Sequence, residues 1–342
     1  MRAMLLNSLL RRQCQERGWK PTQLGRDVHG GAGGGGEGCE RRFGQRRRAL
    51  CAAFALLACA AGNAFARAPS AGCGKTDAGE EAAARGVEQE LEVDGQKRTY
   101  ILDVPPSALG RVPVPLLLDF HGFQHSAAGV WRVSEFKRLG EENGFVTAYP
   151  QGLPVQLLGR EGAGWQIFTS ENNRDLRFVR ALIDHLAERY CIDRHRIYAT
   201  GFSNGGFLAH LLACHMADVI SGIAPVGAGL LPVPCTPARA LPVIIHHGTI
   251  DDRVPIERAR ALRDRWRELN GCDVASDRTS DGCLVYRHCR SGGAVVFCES
   301  ELGHHWPPGA SERIWRFFEQ HRGADRDRGM KAPACAGCVP TP

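Results

Sequence analysis

Residues 196–208 constrain the fold more than any other stretch of the chain. A segment rich in β-branched and aromatic residues is followed by Gly201-Phe-Ser203-Asn-Gly205 and then by an apolar segment with the character of a helix start. A Gly-x-Ser-x-Gly sequence between a strand and a helix is typical of a sharp turn that holds its serine in a strained conformation. Ser203 is therefore the candidate nucleophile, and an ordinary glycine-rich turn is the alternative. A serine nucleophile requires a base and a group that orients the base.

The sequence from about residue 98 alternates between strand-like and helix-like segments, as in a doubly wound α/β domain. Apolar segments predict strands at residues 100–104, 115–120, 145–149, 220–226 and 243–247. Amphipathic segments predict helices at residues 175–190, 255–269 and 311–321. We expect a single catalytic domain over residues 67–323 with a mostly parallel central sheet flanked by helices, followed by a flexible tail over residues 324–342.

The loop after the segment at 115–120 begins with His121-Gly-Phe123. In an α/β hydrolase, this loop supplies one backbone N–H of the oxyanion hole and the residue after the nucleophile supplies the other. These positions are Phe123 and Asn204. We interpret His121 as a structural histidine beneath the loop, because an acyl-transfer base is expected later in the chain.

Two later loops offer the remaining members of a serine triad. Asp251 and Asp252 follow a predicted strand, where a carboxylate can orient an imidazole, and Asp251 is preferred because it is nearer the strand end. His304 and His305 follow another predicted strand, and His304 is the preferred base. The order Ser, Asp, His along the chain is that of the α/β hydrolases.

Zinc is the alternative use for the late histidines, which are His246, His247, His304 and His305. These residues lack a metal-ligand spacing, so we expect neither a metal nor a cofactor. Aromatic residues on loops offer stacking surfaces for a substrate, and Trp165 and Trp306 are the candidates. Local packing is the alternative role for both tryptophans.

The positive charge of the chain is concentrated at its start. The net charge is +6, but residues 1–66 hold 11 Lys and Arg against 4 Asp and Glu, which leaves 32 against 33 in the rest. A nucleic-acid partner is therefore not expected. Within this leader, a low-complexity extension precedes a basic segment, a short apolar run and a small-residue cleavage site over about residues 41–66, which predict a secretory signal and no membrane span. Lipidation at Cys59 is the alternative to cleavage near Arg67.

Ten of the 14 cysteines follow the predicted cleavage site, and an even number in an exported chain favours disulfides over metal thiolates. A hairpin turning at residues 290–293 would place Cys283 opposite Cys298. The further expected pairs are Cys272 with Cys289, Cys214 with Cys235, and Cys73 with Cys191. Cys335 and Cys338 are expected to form a bridge in the tail, with a redox pair as the alternative.

Jointly, these motifs resemble the secreted α/β-hydrolase esterases that include feruloyl esterases and polyhydroxybutyrate depolymerases. The matching segments are His121-Gly122, Cys191-Ile-Asp193, Gly201-Phe-Ser203-Asn-Gly-Gly206, His247-Gly-Thr-x-Asp251 and Gly303-His304-x-Trp306-Pro307. The resemblance spans about residues 73–321 and implies the same triad of Ser203, Asp251 and His304. Phe123 departs from the small residue often found at its position in the family.

The resemblance implies a secreted serine carboxylic-ester hydrolase, extracellular or periplasmic and expected to be a monomer. A short segment after residue 321, with no separate binding domain, favours a feruloyl ester of plant polysaccharide as the substrate. The alternatives are a polyester depolymerase or oligomer hydrolase, a peptidase or acyltransferase using the same triad, and a non-catalytic surface module that binds carbohydrate or polymer.

Overall fold

A ten-stranded sheet forms the centre of the described residues, which are 68–75 and 85–321 of a computed structural model. Its strands are β1 (Glu88–Val93), β2 (Gln96–Asp103), β3 (Val114–Phe120), β4 (Val146–Pro150), β7 (Ile192–Phe202), β8 (Gly222–Val226), β9 (Val243–Gly248), β10 (Ser276–Arg278), β11 (Leu284–Tyr286) and β12 (Val295–Ser300). Their spatial order is β1-β2-β4-β3-β7-β8-β9-β12-β11-β10. The six central strands, β4, β3, β7, β8, β9 and β12 in this order, run parallel. The strands at both edges pair antiparallel.

Six helices and a separate hairpin complete the described structure. The helices are α1 (Ala127–Val133), α2 (Phe136–Asn143), α3 (Arg174–Arg189), α4 (Asn204–His215), α5 (Ile256–Leu269) and α6 (Ala310–Gln320), with a short 3₁₀ helix at Pro106–Leu109. The hairpin consists of β5 (Leu153–Leu157) and β6 (Arg160–Gly164). None of the helices within the described ranges has the length and hydropathy required to cross a bilayer.

Apolar side chains on both faces of the parallel strands explain why helices cover the sheet on both sides. On β3, Leu116 and Leu118 belong to one core cluster together with residues of α3, α4 and α5. Leu117, between them, belongs to a second cluster with residues of α2 and α6. Because side chains alternate along a strand, an unbroken apolar run is buried on both faces. The prediction of a mostly parallel sheet flanked by helices is confirmed.

All four disulfides expected within the described residues are present. They join Cys73 to Cys191, Cys214 to Cys235, Cys272 to Cys289 and Cys283 to Cys298. The last pair follows from the hairpin register, since Leu284 pairs with Phe297 across β11 and β12. The expected leader, the alternative anchor at Cys59, the pair Cys335 and Cys338 and the tail lie outside the described residues.

Asp119 is a carboxyl group in the middle of the fold, on β3 and with no exposed surface. Burial raises its pKa from 3.8 to about 7. A carboxyl group whose pKa is higher in the folded state stabilises the fold when protonated. That contribution is complete below pH 3.8 and is lost as the pH rises through about 7.

Asp119→Asn is therefore expected to raise the melting temperature at pH 8 by roughly 3 °C or more, because the uncharged amide replaces a buried carboxylate. The difference from the wild type should shrink as the pH falls towards 4. Thermal unfolding followed by circular dichroism between pH 4 and 8 measures it, with the exposed Asp252→Asn as the control. An equal shift at both ends of this range would show that the charge of Asp119 is not the cause.

Candidate active site

Ser203 lies between β7 and α4 in a conformation that residues with a side chain rarely adopt. Its φ is 54° and its ψ is −117°. Such a backbone costs about 1–3 kcal/mol and persists only when the surroundings fix it. Here the Ser203 N–H donates to Val226 O at 2.8 Å, and the Phe207 N–H donates to Ser203 O at 2.9 Å. The strained turn is therefore held by β8 on one side and by the first turn of α4 on the other.

Two glycines of the motif allow this turn to approach the end of β3. A Cβ atom added to Gly205 would lie 2.1 Å from the carbonyl oxygen of Phe120, and one added to Gly201 would lie 2.7 Å from the same oxygen. No side chain fits at either distance. The Gly-x-Ser-x-Gly pattern therefore reflects the close approach of backbones, and it brings Ser203 beside the loop that follows β3.

The loops after β9 and β12 bring an acid and an imidazole together. The distance between His304 Nδ1 and Asp251 Oδ2 is 2.7 Å. The other carboxylate oxygen of Asp251 accepts the N–H groups of Arg253 and Val254 at 2.9 and 2.8 Å. Although burial alone would raise the pKa of Asp251, hydrogen bonds from the Val254 N–H, His304 and the Arg253 N–H lower it. Asp251 is therefore a fixed anion against the Nδ1 side of the imidazole.

The two candidates for the acid, and likewise the two candidates for the base, differ in their positions in the structure. The side chain of Asp252 is 82% exposed and lies 3.8 Å from the Arg253 guanidinium. His305 is exposed, whereas His304 is partly buried and its ring packs against Phe202 with 4.6 Å between ring centroids. Of the four residues considered, only Asp251 and His304 contact each other among the described hydrogen bonds.

Ser203 and His304 line the same cavity, which has a volume of about 580 Å³. Apolar side chains supply much of its wall, namely Phe123, Leu157, Leu158, Ile167, Phe168, Phe202, Phe207, Leu231 and Val254. Its remaining lining is glycine, polar and cationic: Gly122, Gln124, His125, Arg160, Asn204, Arg253 and Arg258. A cavity of this size with a strained serine and an oriented imidazole matches the general form of a small-molecule site.

Both candidate oxyanion-hole residues, Phe123 and Asn204, line this cavity. Within the described part of the chain, neither backbone N–H donates to a protein acceptor. The Asn204 side chain accepts the Trp165 N–H at 2.7 Å and donates to Trp165 O at 3.3 Å. This paired contact fixes the start of α4 against the chain that follows β6.

His121 has the structural role expected of it. It is 1% exposed, and burial lowers its pKa to about 4. One ring nitrogen lies 2.7 Å from Gly122 O, and the other accepts the Gly152 N–H at 2.9 Å. The Trp165 indole N–H donates to His121 O at 2.8 Å. The neutral imidazole thus supports the loop that carries Phe123.

Both tryptophans expected to contact substrate pack against aromatic residues of the protein. Trp165 is 1% exposed, and its indole packs edge-on against Phe120 with 5.3 Å between ring centroids. Trp306 packs against Phe136 at 6.1 Å and donates its indole N–H to Ser311. Neither lines the cavity. Local packing against apolar neighbours explains both residues.

Sequence reasoning missed the hairpin β5–β6, which supplies Leu157, Leu158 and Arg160 to the cavity. The signal was present as the alternation of residues 153–157 before a Leu158-Gly159 turn. Both turn residues have positive φ, as a type I′ hairpin turn requires, and Leu158 is 91% exposed. The position of this hairpin over the cavity depends on tertiary contacts that no local pattern reports.

One group of potential metal ligands lies together among the described residues, and it does not include the late histidines. Its members are His210, Cys214 and Cys235. The two sulfurs are joined in a disulfide, so neither is available as a thiolate. The zinc alternative at the late histidines has no comparable grouping within the described ranges.

The chain is similar to esterases in sequence and in fold, although no profile of a known protein family matches it. It is 28% identical over 246 residues to feruloyl esterase B of Piromyces equi, covering 65% of this chain and 45% of that protein. It is 26% identical over 281 residues to feruloyl esterase D of Neurospora crassa, covering 75% of this chain and 91% of that protein.

The fold is shared with solved α/β-hydrolase structures. An acetyl xylan esterase from Aspergillus awamori superposes with a TM-score of 0.54 at 13% identity, covering 68% of this chain and 99% of that one. At this level of identity the likeness concerns the fold alone. The chain thus has the fold of these esterases and is similar in sequence to feruloyl esterases.

Proposed function

We propose that the protein is a serine carboxylic-ester hydrolase in which Ser203 is the nucleophile, His304 the base and Asp251 the residue that orients it. The observation that carries this proposal is the 2.7 Å contact between His304 Nδ1 and Asp251 Oδ2 beside a cavity that Ser203 also lines. With Nδ1 engaged by the carboxylate, the Nε2 lone pair of His304 is free to take the hydroxyl proton.

The proposed reaction proceeds through an acyl-enzyme. Ser203 Oγ attacks the ester carbonyl as its proton passes to His304, and the protonated imidazole then releases the alcohol. Water, activated by the same histidine, hydrolyses the acyl-enzyme and restores the serine. Asp251 stabilises the imidazolium through both steps, since its carboxylate is held as an anion by two backbone N–H groups.

The oxyanion that forms in each step would be bound by the backbone N–H groups of Phe123 and Asn204. Both residues line the cavity, and their N–H groups have no acceptor within the described structure. Each such donor contributes roughly 10²–10³ in rate, because a fixed dipole meets a charge that develops only in the transition state. The strained turn at Ser203 places Asn204 N–H at the start of α4, where the helix dipole adds to this effect.

We propose a hydroxycinnamoyl ester, such as a feruloyl group on plant polysaccharide, as the substrate. The relatives named feruloyl esterases support this class. The cavity supports it as well, because Phe123, Phe168 and Phe202 present apolar surface on which an aromatic acyl group can pack. The polyester alternative and the non-catalytic binding module are not favoured by these relatives.

The assay that tests this function compares methyl ferulate with 3-hydroxybutyrate oligomers, using protein produced from residue 67 onward. Ferulate release, followed by chromatography, is the expected result, with oligomer cleavage at least tenfold slower. Cleavage of the oligomers alone would show that the substrate is a polyester. Activity on neither compound would contradict the esterase proposal and revive the binding module.

We further propose that the protein acts as an exported monomer, in the extracellular space or the periplasm. Four disulfides within the described residues support an oxidising compartment, because such bonds rarely persist in the cytosol. A lipid anchor at Cys59 is the alternative to release. Mass spectrometry of the exported protein distinguishes them, since a lipidated chain would begin at Cys59.

A further inference from the structure

The cavity beside Ser203 is lined by three arginines and, among the residues described, by no carboxylate. The arginines are Arg160, Arg253 and Arg258. Asp251, the carboxylate beside His304, is committed to that histidine and to two backbone N–H groups. No acidic side chain among the lining residues therefore neutralises these cations.

None of the three guanidinium groups is held in a strong ion pair within the described structure. Arg160 is exposed and has no ion-pair partner there. Arg258 donates to Leu230 O at 3.1 Å and lies over the Phe207 ring at 5.5 Å, so its charge meets no anion. Arg253 lies 3.8 Å from Asp252, with side chains 70% and 82% exposed. Exposed pairs at such a distance contribute little and leave the guanidinium available.

The arginines reach the cavity from two separate parts of the fold. Arg160 begins β6 in the hairpin, whereas Arg253 and Arg258 belong to the loop after β9 and the first turns of α5. Two parts of the fold that are distant in sequence thus contribute positive charge to the same cavity. Because residues 67–342 hold 32 basic and 33 acidic side chains, this charge is a local feature and not a consequence of a basic protein.

We propose that the site prefers esters that carry a carboxylate away from the bond to be cleaved. The inference rests on the proposed esterase function and narrows its substrate class. Guanidinium groups bind carboxylates through parallel N–H donors, and a cavity walled partly by apolar side chains strengthens that attraction. The carboxylate can belong to the alcohol, as in a uronic acid unit of a polysaccharide, or to the acyl group, as in the monoester of a diacid.

Two matched substrate pairs distinguish these sources. For the alcohol, a feruloyl ester of methyl glucuronoside is compared with the same compound in which an amide replaces the carboxylate. For the acyl group, 4-nitrophenyl hydrogen adipate is compared with 4-nitrophenyl hexanoate. The quantity measured is the ratio of kcat/KM for the anionic and the neutral member of each pair. We expect a ratio of about 5 or more in at least one pair at low salt, falling towards one in 0.5 M NaCl.

Substitution of the arginines locates the effect. R160Q and the double variant R253Q/R258Q are each expected to lower that ratio by roughly threefold, since each removes charge from the wall. The control is R132Q, which removes an equal charge from an exposed site on α1 that does not line the cavity and should leave the ratio unchanged.

Three results would overturn this inference. A ratio of one or less in both pairs, with neutral esters still cleaved, would remove the anion preference and leave the esterase proposal standing. A ratio that R132Q lowers as much as R160Q would assign the preference to the overall charge of the protein. Failure to cleave either member of both pairs would overturn the esterase proposal itself.

Discussion

Replacing Ser203 by alanine is expected to reduce kcat by about 10⁴–10⁶-fold while leaving the fold intact. The loss is large because no acyl-enzyme can form, and the residual rate reflects only binding and oxyanion stabilisation. Ester hydrolysis followed at saturating substrate measures it. Alanine should also be tolerated structurally, since no described hydrogen bond involves the Ser203 hydroxyl and the backbone contacts to Val226 and Phe207 remain.

The matched control is Ser134→Ala, which removes a hydroxyl from a buried residue that does not line the cavity. Thermal unfolding of both variants separates lost chemistry from lost stability. Retention of more than about a tenth of wild-type kcat by Ser203→Ala would show that the nucleophile lies elsewhere.

Asp251→Asn is expected to lower kcat by roughly 10³–10⁴-fold, the second largest effect. The amide can still accept the N–H groups of Arg253 and Val254, so the loop geometry is retained. It cannot supply the negative charge that faces His304 Nδ1, and it favours the tautomer with the proton on the wrong nitrogen. The pH profile of kcat/KM should also change, because the imidazolium loses its counter-ion.

Asp252→Asn makes the same chemical change one residue away, on a side chain that is 82% exposed. It should reduce kcat by less than about threefold, since surface charges this far into solvent interact weakly. If Asp252→Asn proved as damaging as Asp251→Asn, the assignment of the orienting acid would be wrong.

The sequence was most informative where chemistry and backbone geometry impose the same residues. Gly201 and Gly205 mark the turn because any larger residue would collide with the end of β3, so the contact is recorded in the sequence as two glycines. The disulfide between Cys283 and Cys298 could be predicted because a hairpin register fixes which residues face each other. The parallel strands could be located because their apolar runs are buried on both faces.

Features that depend on distant contacts could not be derived in the same way. Trp165 is an aromatic residue on a predicted loop and was a candidate to contact substrate for that reason. Its paired contact with the Asn204 amide and its hydrogen bond to His121 O place it in the core. The convergence of Arg160 and Arg258 on one cavity likewise joins residues from a hairpin and a helix. The same holds for Asp119, whose complete burial no periodicity in the sequence indicates.

The most direct test of the account is covalent labelling with a fluorophosphonate, which reacts with activated serines. After digestion, mass spectrometry is expected to find the phosphonyl group on Ser203, at one equivalent per chain and with ester hydrolysis lost in proportion. Labelling should be absent from Ser203→Ala and strongly slowed in His304→Ala, whereas His305→Ala should react as the wild type does. A label on another serine, or an active protein that takes up none, would contradict the assignment of this cavity as a serine esterase site.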